Sequence, residues 1–249
     1  MNLKFRILRY DPEEKRRYNQ EYAVPFRKNM TILDALLYIK ENLDHSLSFR
    51  YACQAGLCGS CGMIINGKEN LACQTKIEEV GKIIELKPLH NFPVIKDLVV
   101  DFEAMFAKHS SIRPYIWREQ EKFDSEYLQT PEELERFIMV ASCINCGLCY
   151  SSCPVTGTDK LYLGPHALAQ CYRYIMDTRD KDKKKRLDII DSPHGIWRCH
   201  FAGECSEVCP KGVDPAYSIQ QLKGFALLRR NELKRISVAP LKKEKRKFE

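Results

Sequence analysis

The chain has 249 residues, of which 44% are hydrophobic and 29% charged, with a formal net charge of +7. This composition excludes a largely disordered chain and suits one large domain or two of ordinary size. No run approaches the roughly 18 apolar residues of a transmembrane helix, and the first residues lack the apolar core of a signal peptide. We therefore expect a protein that stays inside the cell, where twelve cysteines indicate metal or redox chemistry rather than disulfides.

The first part of the chain has a mixed α and β pattern. Short alternating or apolar runs at 3–10, 62–67 and 81–89 predict strands. Thr31 opens a helical segment that extends to residue 43. These signals predict an α+β arrangement for this half.

After about residue 105 the signals become helical. Thr130 and Glu133 form a capping box with Pro131 at the first helical position. Further helices are expected from Gly164–Pro165 and after Asp214–Pro215. The cysteine-free segment 90–106 is the expected joint between the halves, and the basic residues 241–249 predict a solvated tail or, alternatively, a segment attracted to an acidic partner or lipid surface.

The first cysteine group has the C-x4-C-x2-C…C spacing of plant-type [2Fe-2S] centres. Small residues between its members allow a tight backbone whose N–H groups can face the sulfurs. A structural zinc site also takes four thiolates, but it usually has two separated C-x2-4-C pairs. The predicted [2Fe-2S] ligands are Cys53, Cys58, Cys61 and Cys73.

The second group has the C-x2-C-x2-C-x3-C-P spacing of bacterial ferredoxins, in which the fourth cysteine ligates the other of two clusters. Such a run requires a second one, and a related run ends at Cys209-Pro210. Exchange of the fourth ligands predicts a [4Fe-4S] cluster on one set and leaves three cysteines for another cluster. The two sets are Cys143, Cys146, Cys149 and Cys209, and Cys153, Cys199 and Cys205.

The second run departs from the first at one position, where Ala202 stands in place of a cysteine. Alanine has no donor atom, so we predict a [3Fe-4S] cluster, with an external ligand on a fourth iron as the alternative. The remaining cysteine, Cys171, lies in a helical segment where a small buried residue is expected. The chain has no Gly-rich phosphate loop, HExxH motif or nucleophile elbow, which favours electron conduction over bond-making chemistry.

These motifs, in their order and spacing, resemble the iron-sulfur subunit of the succinate dehydrogenase (succinate:quinone oxidoreductase) and fumarate reductase family. The resemblance covers nearly the whole chain and rests on SFRYACQAGLCGSCGMIING, CINCGLCYSSCP and WRCHFAGECSEVCPKGVDPAYSIQQ. It implies a β-grasp, plant-type [2Fe-2S] ferredoxin domain at 1–104. An all-α, bacterial-type ferredoxin domain with the [4Fe-4S] and [3Fe-4S] clusters is implied at 105–249.

The resemblance also implies partners. One is a flavoprotein subunit with covalently held FAD and the dicarboxylate site, and the other is a transmembrane anchor with quinone and often haem. Electrons would pass between FAD, the [2Fe-2S], [4Fe-4S] and [3Fe-4S] clusters and quinone in that order. The chain would lie at the cytoplasmic face of the inner membrane and serve the tricarboxylic acid cycle or anaerobic respiration. The sequence leaves the direction open.

In this family the quinone lies close to the [3Fe-4S] cluster, which makes Pro154, His200 and Lys223 candidates for its surroundings. A histidine or lysine can donate a hydrogen bond to a quinone carbonyl. The alternatives are a packing role for His200 and a surface or interface charge for Lys223. Many succinate-oxidising members have a tryptophan soon after the cysteine that matches Cys153, whereas this chain has its nearby tryptophan at Trp197.

Two other functions fit parts of the pattern. A thiol-driven fumarate reductase or another flavin dehydrogenase would keep the clusters and change the electron donor or acceptor. A zinc-stabilised nucleic-acid module would use the positive charge, but the basic residues are dispersed and the cysteine spacing does not fit paired zinc fingers. We therefore expect no nucleic-acid partner.

Overall fold

The computed structural model describes residues 2–118 and 126–237, with side chains up to residue 229. The basic segment 241–249, for which the sequence predicts a tail, lies outside the described residues. Among the helices that are described, none is both long enough and apolar enough to cross a bilayer.

The N-terminal half is a five-stranded mixed sheet that shares one hydrophobic core with a helix. The strand order is β2-β1-β5-β3-β4, with β1 and β5 parallel and the other neighbours antiparallel. The elements are β1 (Asn2–Asp11), β2 (Arg16–Pro25), α1 (Ile32–Asn42), β3 (Gly62–Ile65), β4 (Lys68–Leu71), α2 (Ile77–Val80) and β5 (Ile83–Lys87).

Strand β1 forms because apolar residues alternate with polar ones along it. Leu3, Phe5 and Ile7 are buried, whereas the residues between them face solvent. Helix α1 begins where the sequence predicts it. The Thr31 hydroxyl accepts a hydrogen bond from the Asp34 N–H at 3.1 Å, and the Asp34 carboxylate accepts one from the Thr31 N–H at 2.8 Å.

The segment that joins the two halves forms a small antiparallel ladder followed by a helix. The ladder pairs β6 (Val94–Lys96) with β7 (Val99–Val100), and the helix is α3 (Glu103–Ser111). Met105 on this helix belongs to the N-terminal core, whereas Ile112 just after it belongs to a second core. The chain therefore passes from one core to the other along α3.

The second core lies in the helical half, around α7, which packs against α3, α4 and α10. Helix α4 begins at the predicted capping box of Thr130 and Glu133. The helices are α4 (Pro131–Ala141), α5 (Leu148–Ser151), α6 (Pro154–Thr158), α7 (Gly164–Met176), α8 (Lys183–Ile190), α9 (Glu204–Glu207) and α10 (Pro215–Ser237), with one 3-10 turn at Ile196–Arg198.

Aromatic side chains hold the two halves together. The ring centroid of Phe92 lies 4.8 Å from that of Phe102 and 4.9 Å from that of Tyr150 in the helical half. Gly147 lies against the same group, because a Cβ on Gly147 would be 2.5 Å from the Phe102 ring. The halves therefore meet across a packed apolar interface next to the cysteine run 143–153.

The predicted strands at 3–10, 62–67 and 81–89 and the helices that start near Thr31, Thr130, Gly164 and Asp214 are confirmed. The α+β fold class is confirmed with them. The sequence did not predict β2, whose residues are mostly polar, or α8.

Candidate iron-sulfur sites

Three cysteines of the first group lie in an irregular loop that leads into β3, and the fourth, Cys73, follows β4. The backbone N–H groups of Ala55, Leu57 and Cys58 point at the Cys53 sulfur from 3.4, 3.2 and 3.3 Å. Such donors stabilise negative charge on a thiolate. The loop therefore has the backbone arrangement that the small residues in its sequence predict.

The four cysteines of this group differ in exposure. Cys53 and Cys58 are exposed, whereas Cys61 and Cys73 are buried. Backbone N–H donation from Cys53, with bonds from Ser60, lowers the pKa of Cys58 to about 6. Burial, with the neighbouring Cys73, raises the pKa of Cys61 to about 12. The group therefore places one edge of its site at the protein surface and the other in the N-terminal core.

The predicted [4Fe-4S] ligands surround one space of about 410 Å³ that is free of protein atoms. Apolar residues, among them Leu148 and Val213, form much of the remaining wall. The structure brings together here the first three cysteines of the run 143–153 and the last cysteine of the run 199–209. These residues are Cys143, Cys146, Cys149 and Cys209.

Burial changes the chemistry of these thiols. It raises the pKa of Cys146 to about 11 and that of Cys149 well above its usual range, and the neighbouring cysteines add to both shifts. Thiols in this state are protonated at neutral pH, so iron binding must displace their protons. The set of four thiol donors around one space fits a cluster held by four thiolates.

The predicted [3Fe-4S] ligands surround a second space, of about 350 Å³. Cys153, Cys199 and Cys205 line this space. Ala202 also lines it, at the position that corresponds to Cys146 in the run 143–153. The N–H of Phe201 points at the Cys199 sulfur from 3.4 Å. This wall therefore supplies three sulfur donors and a methyl group.

The three candidates for the quinone surroundings lie near this second space. Pro154 and His200 line it and are both exposed. The Lys223 ammonium group donates a hydrogen bond to the backbone carbonyl of Cys199 at 2.9 Å. Trp197 instead directs its indole N–H to the carboxylate of Asp191 at 2.6 Å.

Cys171 is fully buried in the second core, which agrees with the packing role expected from the sequence. Burial raises the pKa of its thiol to about 12.

Sequence reasoning missed two residues that line these spaces. His166 lines the space beside Cys143, and its Nε2 lies 2.8 Å from the side-chain oxygen of Asn145. Burial lowers the pKa of His166 to about 3, so the ring is neutral. Tyr162 is buried against the other space. Only the folded chain brings these residues to the cysteines, and their local sequence carries no cluster signal.

Two family models match the chain in the order that the cysteine groups predict. Residues 4–107 match a 2Fe-2S iron-sulfur cluster binding domain, and residues 139–213 match a 4Fe-4S dicluster domain. The fold and these matches define a two-domain protein with a [2Fe-2S] ferredoxin domain followed by a dicluster domain.

Relatives that match over most of their own length identify the family within this class. The chain is 47% identical to the fumarate reductase iron-sulfur subunit of Mycobacterium tuberculosis over 87% of its own length and 90% of the relative. It is 37% identical to the succinate dehydrogenase iron-sulfur subunit of Paracoccus denitrificans, over 88% and 86%. A chain of the Mycobacterium smegmatis Sdh1 complex in the apo form superposes with a TM-score of 0.85 at 25% identity, covering 92% of this chain and 97% of that one. The chain belongs to the family of iron-sulfur subunits of succinate dehydrogenase and fumarate reductase.

Proposed function

We propose that this chain conducts electrons between the FAD of a flavoprotein subunit and a quinone at a membrane anchor, through [2Fe-2S], [4Fe-4S] and [3Fe-4S] clusters in that order. The observation that carries this proposal is the succession of the three cysteine groups. The first loop touches the second group where Gly59 lies against Cys146. The short segment from Cys149 to Cys153 joins the proposed [4Fe-4S] and [3Fe-4S] ligand sets, because its two ends border the two separate spaces.

The ligand assignment follows the same succession. Each of the two spaces in the helical half is lined by one complete set of cysteines expected after exchange of Cys153 and Cys209. This pairing supports four thiolates for the [4Fe-4S] cluster and three for the [3Fe-4S] cluster. Cys53, Cys58, Cys61 and Cys73 are assigned to the [2Fe-2S] cluster.

When bound, the clusters supply one-electron carriers whose potentials depend on hydrogen bonds to sulfur and on burial. The protein sets both of these. Three N–H groups face Cys53, which favours the more negative reduced state there. The apolar wall around the [4Fe-4S] site disfavours added negative charge.

The two ends of the succession fit different partners. Leu57, in the exposed loop of the first group, is 63% exposed and suits contact with the flavoprotein. Phe201, on the rim of the [3Fe-4S] space, is 58% exposed and suits contact with the anchor. The twelve cysteines form no disulfide with one another, which agrees with a reducing compartment and with the proposed position on the cytoplasmic face of the inner membrane.

The quinone would bind near the [3Fe-4S] site. His200 can donate a hydrogen bond to a quinone carbonyl, and Pro154 shapes the rim beside it. Lys223 is held against the backbone of Cys199, where its positive charge favours an added electron.

The proposal is tested in membranes that contain the complete complex. Succinate should abolish the electron paramagnetic resonance (EPR) signal of the oxidised [3Fe-4S] cluster, and an oxidised quinone should restore it. Cys58→Ser should remove or alter the [2Fe-2S] signal and slow both steps, whereas Cys171→Ala should leave both unchanged. A [3Fe-4S] signal that changes with neither succinate nor quinone would overturn the proposed donor and acceptor. Initial rates of succinate-to-quinone and quinol-to-fumarate transfer then give the physiological direction.

A further inference from the structure

Asn91, in the N-terminal half, reaches the segment between two cluster sites in the helical half. Its side-chain amide donates to the backbone carbonyl of Ser151 at 2.8 Å. The same nitrogen lies 3.2 Å from the carbonyl oxygens of Tyr150 and Cys153. Because one NH₂ group has two hydrogens, one of them is shared between two of these carbonyls.

These carbonyls need partners because of where they lie. Helix α5 is a single turn that ends at Ser151, and the last carbonyls of a helix find no N–H donor within it. The turn contains Cys149, assigned to the [4Fe-4S] cluster, and is followed by Cys153, assigned to the [3Fe-4S] cluster. The Asn91 amide therefore satisfies, from the other domain, the backbone that joins two ligands of different clusters.

Neighbouring contacts fix Asn91 in this position. The backbone N–H of His90 donates to the Ser151 hydroxyl at 2.8 Å, and that hydroxyl donates to the Glu69 carboxylate at 2.9 Å. On the other side Gly157 leaves room for the amide, because a Cβ there would lie 2.8 Å from the Asn91 side-chain oxygen. Asn91 itself has a left-handed backbone, with φ at +66°, which asparagine adopts more readily than most residues.

We propose that Asn91 is a positioning residue for the [3Fe-4S] site. It holds the segment from Cys149 to Cys153 so that both ligands face their own clusters, and it thereby makes the two clusters of the helical domain depend on a residue of the [2Fe-2S] domain. This inference rests on the ligand assignment proposed above.

The direct test is Asn91→Gly in the complete complex, because glycine keeps the left-handed backbone and removes only the amide. We expect the oxidised [3Fe-4S] EPR signal to decay about tenfold faster in air, because loss of the group behind a metal ligand typically weakens metal binding by about 10- to 100-fold. Its line shape and midpoint potential should also change. The [2Fe-2S] signal should not change.

Asn66→Gly is the matched control. Asn66 also has a left-handed backbone, with φ at +48°, and its side chain bonds Val80 and Glu85 at 2.9 and 2.7 Å within the N-terminal half. The two variants therefore remove the same kind of side chain from the same kind of backbone. Only Asn91→Gly should move the [3Fe-4S] potential.

Gly157→Ala gives a second test that does not depend on the first variant. Alanine is favoured over glycine in helix α6, so its harm should come from contact with the Asn91 side chain. Gly157→Ala alone should disturb the [3Fe-4S] signal. In the Asn91→Gly background the same change should have little further effect, as a double-mutant cycle would show.

The outcomes separate the inference from the proposed function. A wild-type complex without an oxidised [3Fe-4S] signal would remove the ligand assignment itself. If the wild-type signal is normal and its lifetime, line shape and potential are unchanged in Asn91→Gly, the role of Asn91 is overturned and the ligand assignment stands. Additive effects of Asn91→Gly and Gly157→Ala would overturn the role of Asn91 as well. If Asn91→Gly yields no intact complex, an unchanged [3Fe-4S] signal in Gly157→Ala alone would overturn the role of Asn91.

Discussion

Gly59 and Cys146 bring the loops of two domains into direct contact. A Cβ on Gly59 would lie 2.7 Å from the Cβ of Cys146 and 2.9 Å from its Cα. Neither of these atoms moves when a side chain changes rotamer. Gly59 also has a φ of +74°, so its position requires glycine for two separate reasons. The close approach of the first and second cluster sites depends on this residue.

Gly59→Ala should therefore destabilise the protein more than backbone strain alone can explain. We expect about 1–2 kcal/mol from the left-handed conformation and about 1–3 kcal/mol more from overpacking against Cys146. Gly67→Ala is the matched control, because Gly67 has a φ of +83° and a Cβ there would meet no atom of the described residues within 4 Å. Urea unfolding of both variants measures the difference. Equal losses would contradict the close contact.

Ala202→Cys should supply the missing sulfur donor at the third site. Ala202 lines the same space as Cys153, Cys199 and Cys205, so a thiolate there can ligate a fourth iron. We expect the iron content to rise by about one atom and the oxidised [3Fe-4S] EPR signal to disappear. Ala202→Ser, which adds a hydroxyl of similar size, is the control for volume. An unchanged oxidised signal in Ala202→Cys would mean that position 202 does not face the cluster.

Lys223→Gln should lower the midpoint potential of the [3Fe-4S] cluster. The ammonium group bonds the carbonyl of Cys199 at 2.9 Å, and removal of its charge makes an added electron less favourable. We expect a shift on the order of tens of millivolts, because a charge at such a site is worth about 1 kcal/mol. A redox titration followed by EPR measures the shift, and Lys223→Arg should largely preserve the potential. A potential that does not move in Lys223→Gln would place this charge away from the cluster.

The stability of the N-terminal domain should fall in acid through the Asp44 carboxylate beside Arg9. The buried Arg9 guanidinium bonds Asp97 at 2.8 Å and Asp44 at 2.6 Å. Burial alone would raise the pKa of Asp44, but hydrogen bonds from Ser46, Tyr22 and Arg9 outweigh it and hold that pKa well below its usual range.

A carboxylate whose pKa is lowered by folding stabilises the protein above its unfolded pKa, and this contribution is lost as the pH falls toward the folded value. The free energy of unfolding should therefore decrease below about pH 4. Asp44→Asn should cost about 1–3 kcal/mol at pH 7 and weaken this pH dependence. Urea unfolding by circular dichroism at several pH values measures both effects, with cluster absorbance recorded separately to follow loss of iron. A pH dependence identical to that of wild type would contradict the assigned role of Asp44.

The sequence predicted those parts of the fold whose signals are local. Thr31 and Thr130 open helices because each side chain caps a backbone N–H three residues later. Strand β2 carries no such signal. It includes charged residues from Arg16 to Glu21 and buries only Tyr22 and Val24. It forms because β1 offers ten consecutive residues for pairing across the turn 12–15, and a pairing partner cannot be predicted from the residues of β2 alone.

The sites show the same division. Cysteine spacing predicts the three ligand sets, because closely spaced cysteines in these patterns are typical of iron-sulfur sites. The residues behind the ligands could not be predicted. Asn91 lies 62 residues from Cys153 along the chain, and His166 lies 21 residues from Asn145. Both are ordinary polar residues until the fold places them beside the cluster loops.

The three cluster types are best distinguished by the iron and acid-labile sulfide content of the anaerobically purified protein, with EPR of its oxidised and dithionite-reduced forms. We expect about nine irons per chain, a [3Fe-4S] signal in the oxidised form and a [2Fe-2S] signal in the reduced form. About ten irons and no oxidised [3Fe-4S] signal would contradict the three-cluster assignment, because a fourth iron would then occupy the corner that faces Ala202.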